Sequence, residues 1–273
     1  MSLLKQKLAV IGTGKMGTIL LQSMLGQKLI TPEQVKATDK AVDQGAHGQH
    51  LLPIPIGADN SEAAEWADII LLCVKPQTVK TVVEEIKSRL TPKKLLISIA
   101  ASIPTGMIEK AAEVQIPVVR TMPNTPCAVG LGMTGICKGR YAQEEHLAIT
   151  CSIFNTFGRS VVVEENLMDA ITGLSGSGPA FVYIILESLA EAGVKVGLPR
   201  DIATELAAQT VLGSAQMVLE TGHHPALLKD AVTTPAGCTI DGILELEEGK
   251  LRVTLIKAVV KAAERARQLV HSH

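Results

Sequence analysis

A short turn near the start of the chain places three glycines where phosphate binding needs them. Gly12, Gly14 and Gly17 follow an apolar run, Leu8–Ile11, and precede an amphipathic stretch. In a strand–turn–helix unit the first glycine permits the tight turn, the second lets backbone approach a pyrophosphate, and the third allows close helix–strand packing. The helix N-terminus adds N–H donors and a favourable dipole. We therefore expect a dinucleotide pyrophosphate here; a plain glycine-rich turn is the alternative.

An acidic residue ends the next apolar run. Asp39 follows Thr38, at the point where a carboxylate can accept hydrogen bonds from both ribose hydroxyls of a dinucleotide. Such a carboxylate repels a 2′-phosphate and favours NADH over NADPH. Lys40 comes next and could partly neutralise the site or clamp that phosphate. The alternative is that Asp39 and Lys40 form an exposed turn pair.

Polar residues also follow two later strand-like runs, where open α/β sheets place their ligands. Lys75, in Val74-Lys75-Pro76, could meet a cofactor ribose or a substrate carboxylate, or could simply end its strand. Asn124, in Met122-Pro123-Asn124-Thr125-Pro126, is held by two prolines and could face a nicotinamide, or could lie in a turn without a role. Asn60 or Ser61, before Glu62, fits a helix cap.

Two loops of small residues precede helical stretches in the second half of the chain. The first, 175–180, contains Ser177 and Gly178 and would let a flat ring approach, or serve as an interdomain hinge; the two interpretations are compatible. The second, 233–239, offers amides and hydroxyls that suit a carboxylate. A capped turn is the alternative for that loop.

Several common kinds of catalytic site have no counterpart in the sequence. There is no Gly-x-Ser-x-Gly motif and no Walker lysine. His223 and His224 precede a proline without acidic or cysteine partners at metal spacing, so we expect a helix-terminal pair and no metal site. No evident His–Asp acid/base pair is present. This absence favours a substrate that is already electrophilic, of which a protonated imine fits best.

The elements that must position these residues divide the chain in two. Residues 1–165 alternate apolar strands with amphipathic helices, which predicts a parallel α/β sheet. Residues 166–273 are Ala-rich and helical, and would form a core of adequate size if two copies interdigitate. The predicted strands are 8–11, 35–38, one within 67–74, 95–100 and 118–121, with 133–138 and 160–163 as extensions. The predicted helices are 17–26, 78–89, 105–112, 179–192, 200–221, 225–231, 238–248 and 252–269.

Composition limits the class of protein. Apolar residues make up 47% of the 273 residues, and 26 basic residues balance 27 acidic ones, so nucleic-acid binding has little support. The five cysteines form no CxxC pair, which favours reduced thiols in the cytoplasm. No signal-peptide pattern and no apolar run of the ~18–20 residues that a membrane span needs stands out. We expect a cytoplasmic protein without membrane or nucleic-acid partners.

Over essentially its whole length the sequence resembles pyrroline-5-carboxylate reductase, the last enzyme of proline synthesis. The resemblance is most specific in 190–200, 209–210, 221–225 and 228–230, and in 233–240, which looks like the family signature. It implies an N-terminal Rossmann domain, a helical domain that interlocks with its twin in a dimer, and further assembly, commonly to decamers. The implied reaction is hydride transfer from NADPH or NADH to the C=N bond of 1-pyrroline-5-carboxylate, giving L-proline.

The resemblance also implies roles for residues of this sequence. Thr239 would act at the ring nitrogen of the substrate, as the catalytic group. The substrate would be held by Ser177, Gly178, Thr234, Ala236, Gly237, Cys238 and Thr239. The cofactor would be bound by Ile11, Gly12, Thr13, Gly14, Lys15, Met16, Asp39, Lys40, Asn60, Val74, Lys75, Pro76, Ala100, Ala101 and Asn124.

The sequence departs from the family pattern at two points and leaves rival functions open. The family usually has Gly-Gly where this chain has Ala236-Gly237, and Ala is disfavoured if the backbone there needs positive φ. Asp39 replaces the small or basic residues of NADPH-preferring members. A β-hydroxyacid dehydrogenase would need a lysine in 179–192, which has none. The sequence is also compatible with a six-membered cyclic imine as substrate, and with a dinucleotide-sensing protein that has lost its chemistry.

Overall fold

The computed structural model describes residues 4–40 and 52–270. The chain forms two compact units: Met1–Ser177 with Lys261–His273, and Gly178–Val260. This division differs from the predicted domain boundary at 165/166, because residues on both sides of the second unit in sequence contact the sheet unit. The Ile171 side chain lies 2.8 Å from the position that a Cβ on Gly135 would take. The Ser102 hydroxyl donates to the carbonyl of Ala266 at 2.8 Å. The exact boundary between the domains stays a prediction.

The first unit is built on an eight-stranded sheet with the order β3-β2-β1-β4-β5-β6-β7-β8. Its strands are β1 (Leu8–Ile11), β2 (Val35–Thr38), β3 (Ile56–Gly57), β4 (Ile69–Leu72), β5 (Leu95–Ser98), β6 (Val118–Met122), β7 (Gly132–Lys138) and β8 (Gly158–Val162). The chain first builds outward from β1 through β2 and β3, then returns to β4 on the other side. The crevice between β1 and β4 is therefore the topological switch point, where such sheets bind ligands.

The sequence predicts a parallel sheet, but the observed sheet contains one antiparallel pair. β7 runs antiparallel to β6, while every other neighbouring pair of the described strands is parallel. A parallel return needs a crossover of a dozen or more residues. Only a 3-10 turn, Thr125–Val129, and a few loop residues separate β6 from β7, so the chain can return only in the antiparallel sense.

Helices cover the first unit's sheet. They are α1 (Lys15–Gly26), α2 (Asn60–Trp66), α3 (Pro76–Ile86), α4 (Thr105–Ala112), α5 (Glu144–Phe154) and α6 (Met168–Ile171), followed by a π-helix, Thr172–Gly176. Neither β3 nor α5 was predicted from the sequence. The expected cap of α2 was also wrong, because Asp59 Oδ1 accepts from the Glu62 N–H at 2.9 Å and Asn60 is already helical.

Two apolar clusters fill the space on the two faces of this sheet. Along β1, Leu8 and Val10 belong to one cluster, and Ala9 and Ile11 to the other. Burial on both faces explains why the strands are continuously apolar. It also holds their carboxyl ends, which carry the candidate site, on a rigid edge.

The second unit is helical. It contains α7 (Gly178–Lys195), α8 (Arg200–Thr221), α9 (Pro225–Ala231), α10 (Cys238–Glu248) and the start of α11 (Leu251–Val270). Gly193, which directly follows the predicted helix 179–192, lies inside α7. A Cβ there would stand 2.8 Å from the Cβ of Ala203, so glycine lets α7 and α8 pack closely. Gly222 ends α8 at φ 65°, as predicted.

Much apolar surface of the second unit is exposed in the single chain. In α7 and α8, which are described throughout, the buried residues are the three alanines Ala190, Ala203 and Ala207. Among the described residues one helical stretch, Glu165–Lys195, is long and apolar enough to cross a membrane by length and mean hydropathy, and 6% of the 18-residue window that meets this criterion is buried. This stretch was not predicted from the sequence, because no uninterrupted apolar run reaches that length.

Candidate active site

The three glycines of the first turn differ in how much space surrounds them. Gly12 adopts φ 98°, and a Cβ on it would stand 2.8 Å from the carbonyl oxygen of Cys73. A Cβ on Gly17 would collide with the carbonyl oxygen of Gly12, which keeps α1 tight against β1. Around Gly14, in contrast, a Cβ would meet nothing within 4 Å. The turn therefore leaves open space on the side that a pyrophosphate would approach.

The N-terminus of α1 is suited to an anion. Gly14 is its N-cap, and no side chain caps the helix among the described residues. The first N–H groups of a helix have no partner within it, and the dipole favours negative charge there. Ile11 is buried at the end of β1, while the side chains of Lys15 and Met16 are exposed and half-buried respectively. These features fit a dinucleotide phosphate.

Asp39 is joined to the glycine-rich turn. Its Oδ2 accepts from the N–H of Thr13 at 2.8 Å and from the Thr13 hydroxyl at 3.1 Å. Thr13 is fully buried, and its carbonyl accepts from the hydroxyl of Thr18 at 2.8 Å. Asp39 is therefore half-buried and hydrogen-bonded, whereas the alternative prediction was an exposed turn pair of Asp39 and Lys40. Thr18 could not be identified from sequence, since its contact depends on the geometry of the turn.

Lys40 and Asn60 meet at Glu85, a residue that was not predicted from the sequence. Lys40 is exposed and its Nζ lies 2.8 Å from Glu85 Oε2. Asn60 is buried; its Nδ2 donates to the same carboxylate at 3.3 Å, and its Oδ1 accepts from the Thr38 hydroxyl at 2.7 Å. Because Glu85 lies 25 residues beyond Asn60, only the fold brings them together. A cofactor contact of Asn60 stays a prediction.

The strand ends next to the glycine-rich turn carry the other predicted cofactor residues. Val74 and Pro76 are half-buried, and Lys75 is exposed at the N-cap position of α3, without a hydrogen bond or ion pair from its ammonium to the described residues. After β5, Ala100 is buried and Ala101 half-buried. Because β1, β4 and β5 are neighbours, their carboxyl ends bring these residues to one edge of the sheet.

Asn124, after β6, uses both ends of its amide within the protein. Its Nδ2 donates to the carbonyl of Ser175 at 3.1 Å, and its Oδ1 accepts from the N–H of Met133 at 2.9 Å. Ser175 belongs to the π-helix, and Ser177 follows it with its N–H donating to Thr172 at 2.9 Å. The side chain therefore braces the chain locally, which the sequence did not indicate.

The predicted substrate loop lies in the second unit. The N–H of Gly237 donates to the carbonyl of Thr234 at 3.1 Å, closing a turn with Pro235 and Ala236 in the middle. Ala236 adopts φ 55°. Proline at the second position and positive φ at the third characterise a type II turn, which favours glycine at the third. The family departure at Ala236 therefore falls on a backbone position that does require positive φ.

The loop leads directly into a helix N-terminus. Gly237 is the N-cap of α10, and no side chain caps the helix among the residues that the structure describes. A Cβ on Gly237 would collide with the Thr234 hydroxyl. Cys238 is exposed and Thr239 half-buried in the first turn. The first-turn N–H groups and the Thr239 hydroxyl are the donors that a small carboxylate with a ring nitrogen would need.

Three thiols of the first unit, those of Cys73, Cys127 and Cys137, are poor nucleophiles. Burial raises the pKa of Cys137 to about 12 and raises the pKa of Cys127. Burial also holds the pKa of Cys73, beside the glycine-rich turn, well above its usual range. Since the thiolate is the reactive form, these cysteines remain protonated at neutral pH. All five cysteines are free, and the described residues contain no group of three potential metal ligands.

Comparison with known proteins assigns both halves of the chain. A family model for pyrroline-5-carboxylate reductase dimerisation matches residues 165–269, and a model for coenzyme F420-dependent NADP oxidoreductases matches residues 7–102. The pyrroline-5-carboxylate reductase of Methanosarcina acetivorans is 45% identical over 97% of this chain and 98% of the relative. That of Arabidopsis thaliana is 40% identical over 97% and 96%. This chain belongs to the pyrroline-5-carboxylate reductase family.

Solved structures agree with this assignment. Pyrroline carboxylate reductase of Plasmodium falciparum, with NADP bound, is 33% identical with a TM-score of 0.88, covering 97% of this chain and 98% of that one. The pyrroline-5-carboxylate reductase of Coxiella burnetii is 34% identical with the same TM-score, covering 97% and 99%. The predicted family, reductase function and fold class, an NAD(P)-binding sheet domain followed by helices, are confirmed.

Proposed function

We propose that this chain reduces the C=N bond of 1-pyrroline-5-carboxylate to give L-proline, with NADH or NADPH on the glycine-rich turn and the substrate on the 234–239 loop. The observation that carries the proposal is the open cradle at Gly14, at the uncapped start of α1, in a family member that covers 98% of the Methanosarcina acetivorans relative. A bound nicotinamide coenzyme supplies the hydride that adds to the imine carbon, while the ring nitrogen keeps or gains a proton. The protein orients and binds the reactants.

The coenzyme is bound along one edge of the sheet. The backbone from Ile11 to Met16 takes the pyrophosphate, because the N–H groups at the start of α1 and its dipole favour an anion. Asn60 contributes on the adenosine side. The ribose and nicotinamide would be held at the ends of β4 and β5, with Val74, Lys75, Pro76, Ala100 and Ala101 as contributors. The resemblance also implied Asn124 after β6, but both ends of its amide are bonded within the protein.

Asp39 favours NADH. A carboxylate at the end of β2 attracts the ribose hydroxyls and repels a 2′-phosphate. The adjacent cation, Lys40, is paired with Glu85 at 2.8 Å, and residues 41–51 contain neither lysine nor arginine. A 2′-phosphate would therefore find little compensating charge. The NADP-bound relative has the other coenzyme, so both need to be assayed.

The substrate carboxylate is taken by the N–H groups at the start of α10, where Thr234, Ala236, Gly237 and Cys238 form the turn around it. Anions are favoured at helix N-termini, and no side chain competes for those donors among the described residues. Thr239 is placed to hydrogen-bond the ring nitrogen and is the catalytic residue of the proposal. Ser177 and Gly178, which are half-buried, complete the substrate contacts.

The assembly is a homodimer through the C-terminal helices. The dimerisation-family match covers 165–269 and includes the exposed apolar helices, among them the membrane-length stretch Glu165–Lys195. A second copy on that surface accounts for its apolar character without a membrane. Assembly to a decamer and a cytoplasmic location stay predictions, as does the lack of nucleic-acid partners.

Substitution of Thr239 tests the proposed function at the site. Thr239→Val keeps the shape but removes the hydroxyl, so kcat/KM for 1-pyrroline-5-carboxylate should fall by roughly 10- to 100-fold, the effect of losing one hydrogen bond. Coenzyme affinity, measured by quenching of reduced-nicotinamide fluorescence, should change by less than about twofold. Thr239→Ser retains the hydroxyl and is the matched control. A collapse of coenzyme binding in Thr239→Val would show that the loop is misassigned.

A further inference from the structure

A π-helix directly precedes the predicted substrate residue Ser177. It spans Thr172–Gly176, and its last turn closes with the hydrogen bond from the Ser177 N–H to the Thr172 carbonyl at 2.9 Å. π-Helices are rare and frequently occur at functional sites. The position of Ser177 therefore depends on a segment whose hydrogen-bonding pattern is less favourable than that of an α-helix.

Close packing holds this segment on two sides. A Cβ on Gly173 would stand 2.7 Å from the backbone nitrogen of Ala263, on α11. A Cβ on Gly176 would stand 2.8 Å from the Cε of Met122, at the end of β6. Backbone under 3.0 Å away leaves no room for a side chain, so glycine is needed at 173, whereas the end of the Met122 side chain could move away from a Cβ at 176. The π-helix is fixed against the sheet edge that carries the cofactor residues.

The Asn124 side chain connects that sheet edge to the π-helix by a hydrogen bond. Its Nδ2 donates to the Ser175 carbonyl at 3.1 Å, while its Oδ1 accepts from the N–H of Met133, on β7, at 2.9 Å. One half-buried side chain thus ties the end of β6 and the start of β7 to the segment that places Ser177. Such a brace is worth most where the backbone conformation is otherwise unfavourable.

We propose that Asn124 is a positioning residue that acts through the π-helix on Ser177 and not by touching the nicotinamide. The proposal rests on the proposed function, in which Ser177 holds the imine substrate. Its consequence is a separation of effects: loss of the Asn124 brace impairs use of the imine and leaves coenzyme affinity intact.

Asn124→Asp tests this inference, because it keeps an oxygen for the Met133 N–H but replaces the donor to Ser175 with an oxygen that repels its carbonyl. We expect KM for 1-pyrroline-5-carboxylate to rise about tenfold and kcat to fall, with Kd for NADH and NADPH within about twofold of wild type. Thr172→Val is the control: it is isosteric, loses one side-chain bond to Met168 at 2.8 Å and retains the backbone bond to Ser177. It should match wild type within about twofold.

A double-mutant cycle separates the indirect route from a direct contact. Gly173→Ala forces the π-helix away from α11, so it should give the same kinetic pattern as Asn124→Asp. Combined in one chain, the two changes should cost less than the product of their separate effects, because they disturb one element. Thermal unfolding is measured for every variant. If Asn124→Asp does not fold, Asn124→Ser, which removes the donor without adding charge, takes its place.

Three results would overturn the inference. The first is a rise of about tenfold in coenzyme Kd on loss of the Asn124 donor, and the second is an unchanged KM for the imine. The third is a multiplicative effect of Asn124→Asp and Gly173→Ala, which would indicate that Asn124 acts by a direct contact. Inactivity of the wild-type protein with this imine would instead overturn the proposed function, so the two failures are distinguishable.

Discussion

Ala236 has a backbone conformation that glycine would adopt without cost. Its φ of 55° lies in the left-handed region, where the Cβ of an L-residue approaches the following carbonyl oxygen. The turn that it occupies leads into the predicted carboxylate site at the start of α10. This chain therefore maintains backbone strain within its predicted substrate loop, a condition often associated with functional sites.

Ala236→Gly should relieve this strain. The left-handed conformation costs alanine roughly 1–2 kcal/mol, and glycine loses roughly 0.5–1 kcal/mol more backbone entropy on folding. The free energy of unfolding, measured by urea titration, should therefore rise by about 0.5–1 kcal/mol. Ala226→Gly, on the exposed start of α9, is the control and should lower it. A loss of stability in Ala236→Gly would contradict the assignment of strain.

Asp39 combines two roles, since it holds Thr13 and lies where the ribose is expected. Asp39→Ser should shift the ratio of kcat/KM values toward NADPH by about tenfold or more, because the carboxylate no longer repels the 2′-phosphate. Thr13→Val removes the side-chain bond to Asp39 and keeps the backbone bond. It should weaken both coenzymes by a similar factor and leave the ratio unchanged. An unchanged ratio in Asp39→Ser would show that coenzyme preference is set elsewhere.

At the scale of elements, the unit formed by β1, the glycine-rich turn and α1 gives the site its rigidity. The turn is held by Gly12 against Cys73 and by Gly17 against Gly12. Gly14 alone of the three has open space around its missing Cβ. Gly12 and Gly17 are thus required by the packing of the turn, whereas the space at Gly14 is available to a ligand.

Alanine substitutions should separate these contributions. Gly14→Ala should leave the unfolding temperature within a few degrees of wild type, because φ is −66° and nothing lies within 4 Å. It should nevertheless weaken coenzyme binding by about tenfold, since the methyl group takes the space of the pyrophosphate. Gly17→Ala should destabilise the fold by roughly 1–3 kcal/mol through overpacking. Calorimetry and coenzyme titration measure the two effects, and equal behaviour of both variants would contradict the assignment.

Elements whose signal is local could be predicted from the sequence. A few residues encode each of these features: the apolar run of β1, the amphipathic pattern of α1, the glycines between them and the helix end at Gly222. β3 has only two residues, and the chain returns antiparallel at β7 because a short connection precludes a crossover. Such features depend on tertiary context.

The site was predictable in its residue types but not in its internal bonds. Asp39 and Asn124 were identified because they follow strands whose ends meet at one sheet edge. Their partners Thr13 and Ser175 lie 26 and 51 residues away in sequence, at distances that no local pattern specifies. The predicted cap of α2, Asn60 or Ser61, was one or two residues too late because Asp59, Asn60 and Ser61 are all good caps.

At the scale of the whole molecule, the helices of the second unit leave many apolar side chains exposed and do not form a complete core in the single chain. Ile184 on α7 is 63% exposed and Leu206 on α8 is 52% exposed, although both lie in regular helices. Exposed apolar surface of this extent marks an interface. The family match over 165–269 identifies the dimerisation domain as its context.

Charged substitutions on that surface should separate the dimer. Leu206→Asp should convert the sedimenting species to a monomer and lower activity at least about tenfold, because a buried unpaired carboxylate is costly at an interface. Glu205→Gln, on the neighbouring exposed position, is the control and should retain the dimer. A wild-type protein that sediments as a monomer would contradict the proposed assembly.

The most direct test of the proposed function is steady-state oxidation of NADH and NADPH by the wild-type protein with 1-pyrroline-5-carboxylate, followed at the absorbance of the reduced nicotinamide. A six-membered cyclic imine carboxylate and buffer alone serve as comparisons. We predict turnover with the five-membered imine, formation of L-proline in a 1:1 ratio to coenzyme oxidised, and a higher kcat/KM with NADH. Absence of coenzyme oxidation with both coenzymes, in protein shown to be folded and dimeric, would contradict the proposal.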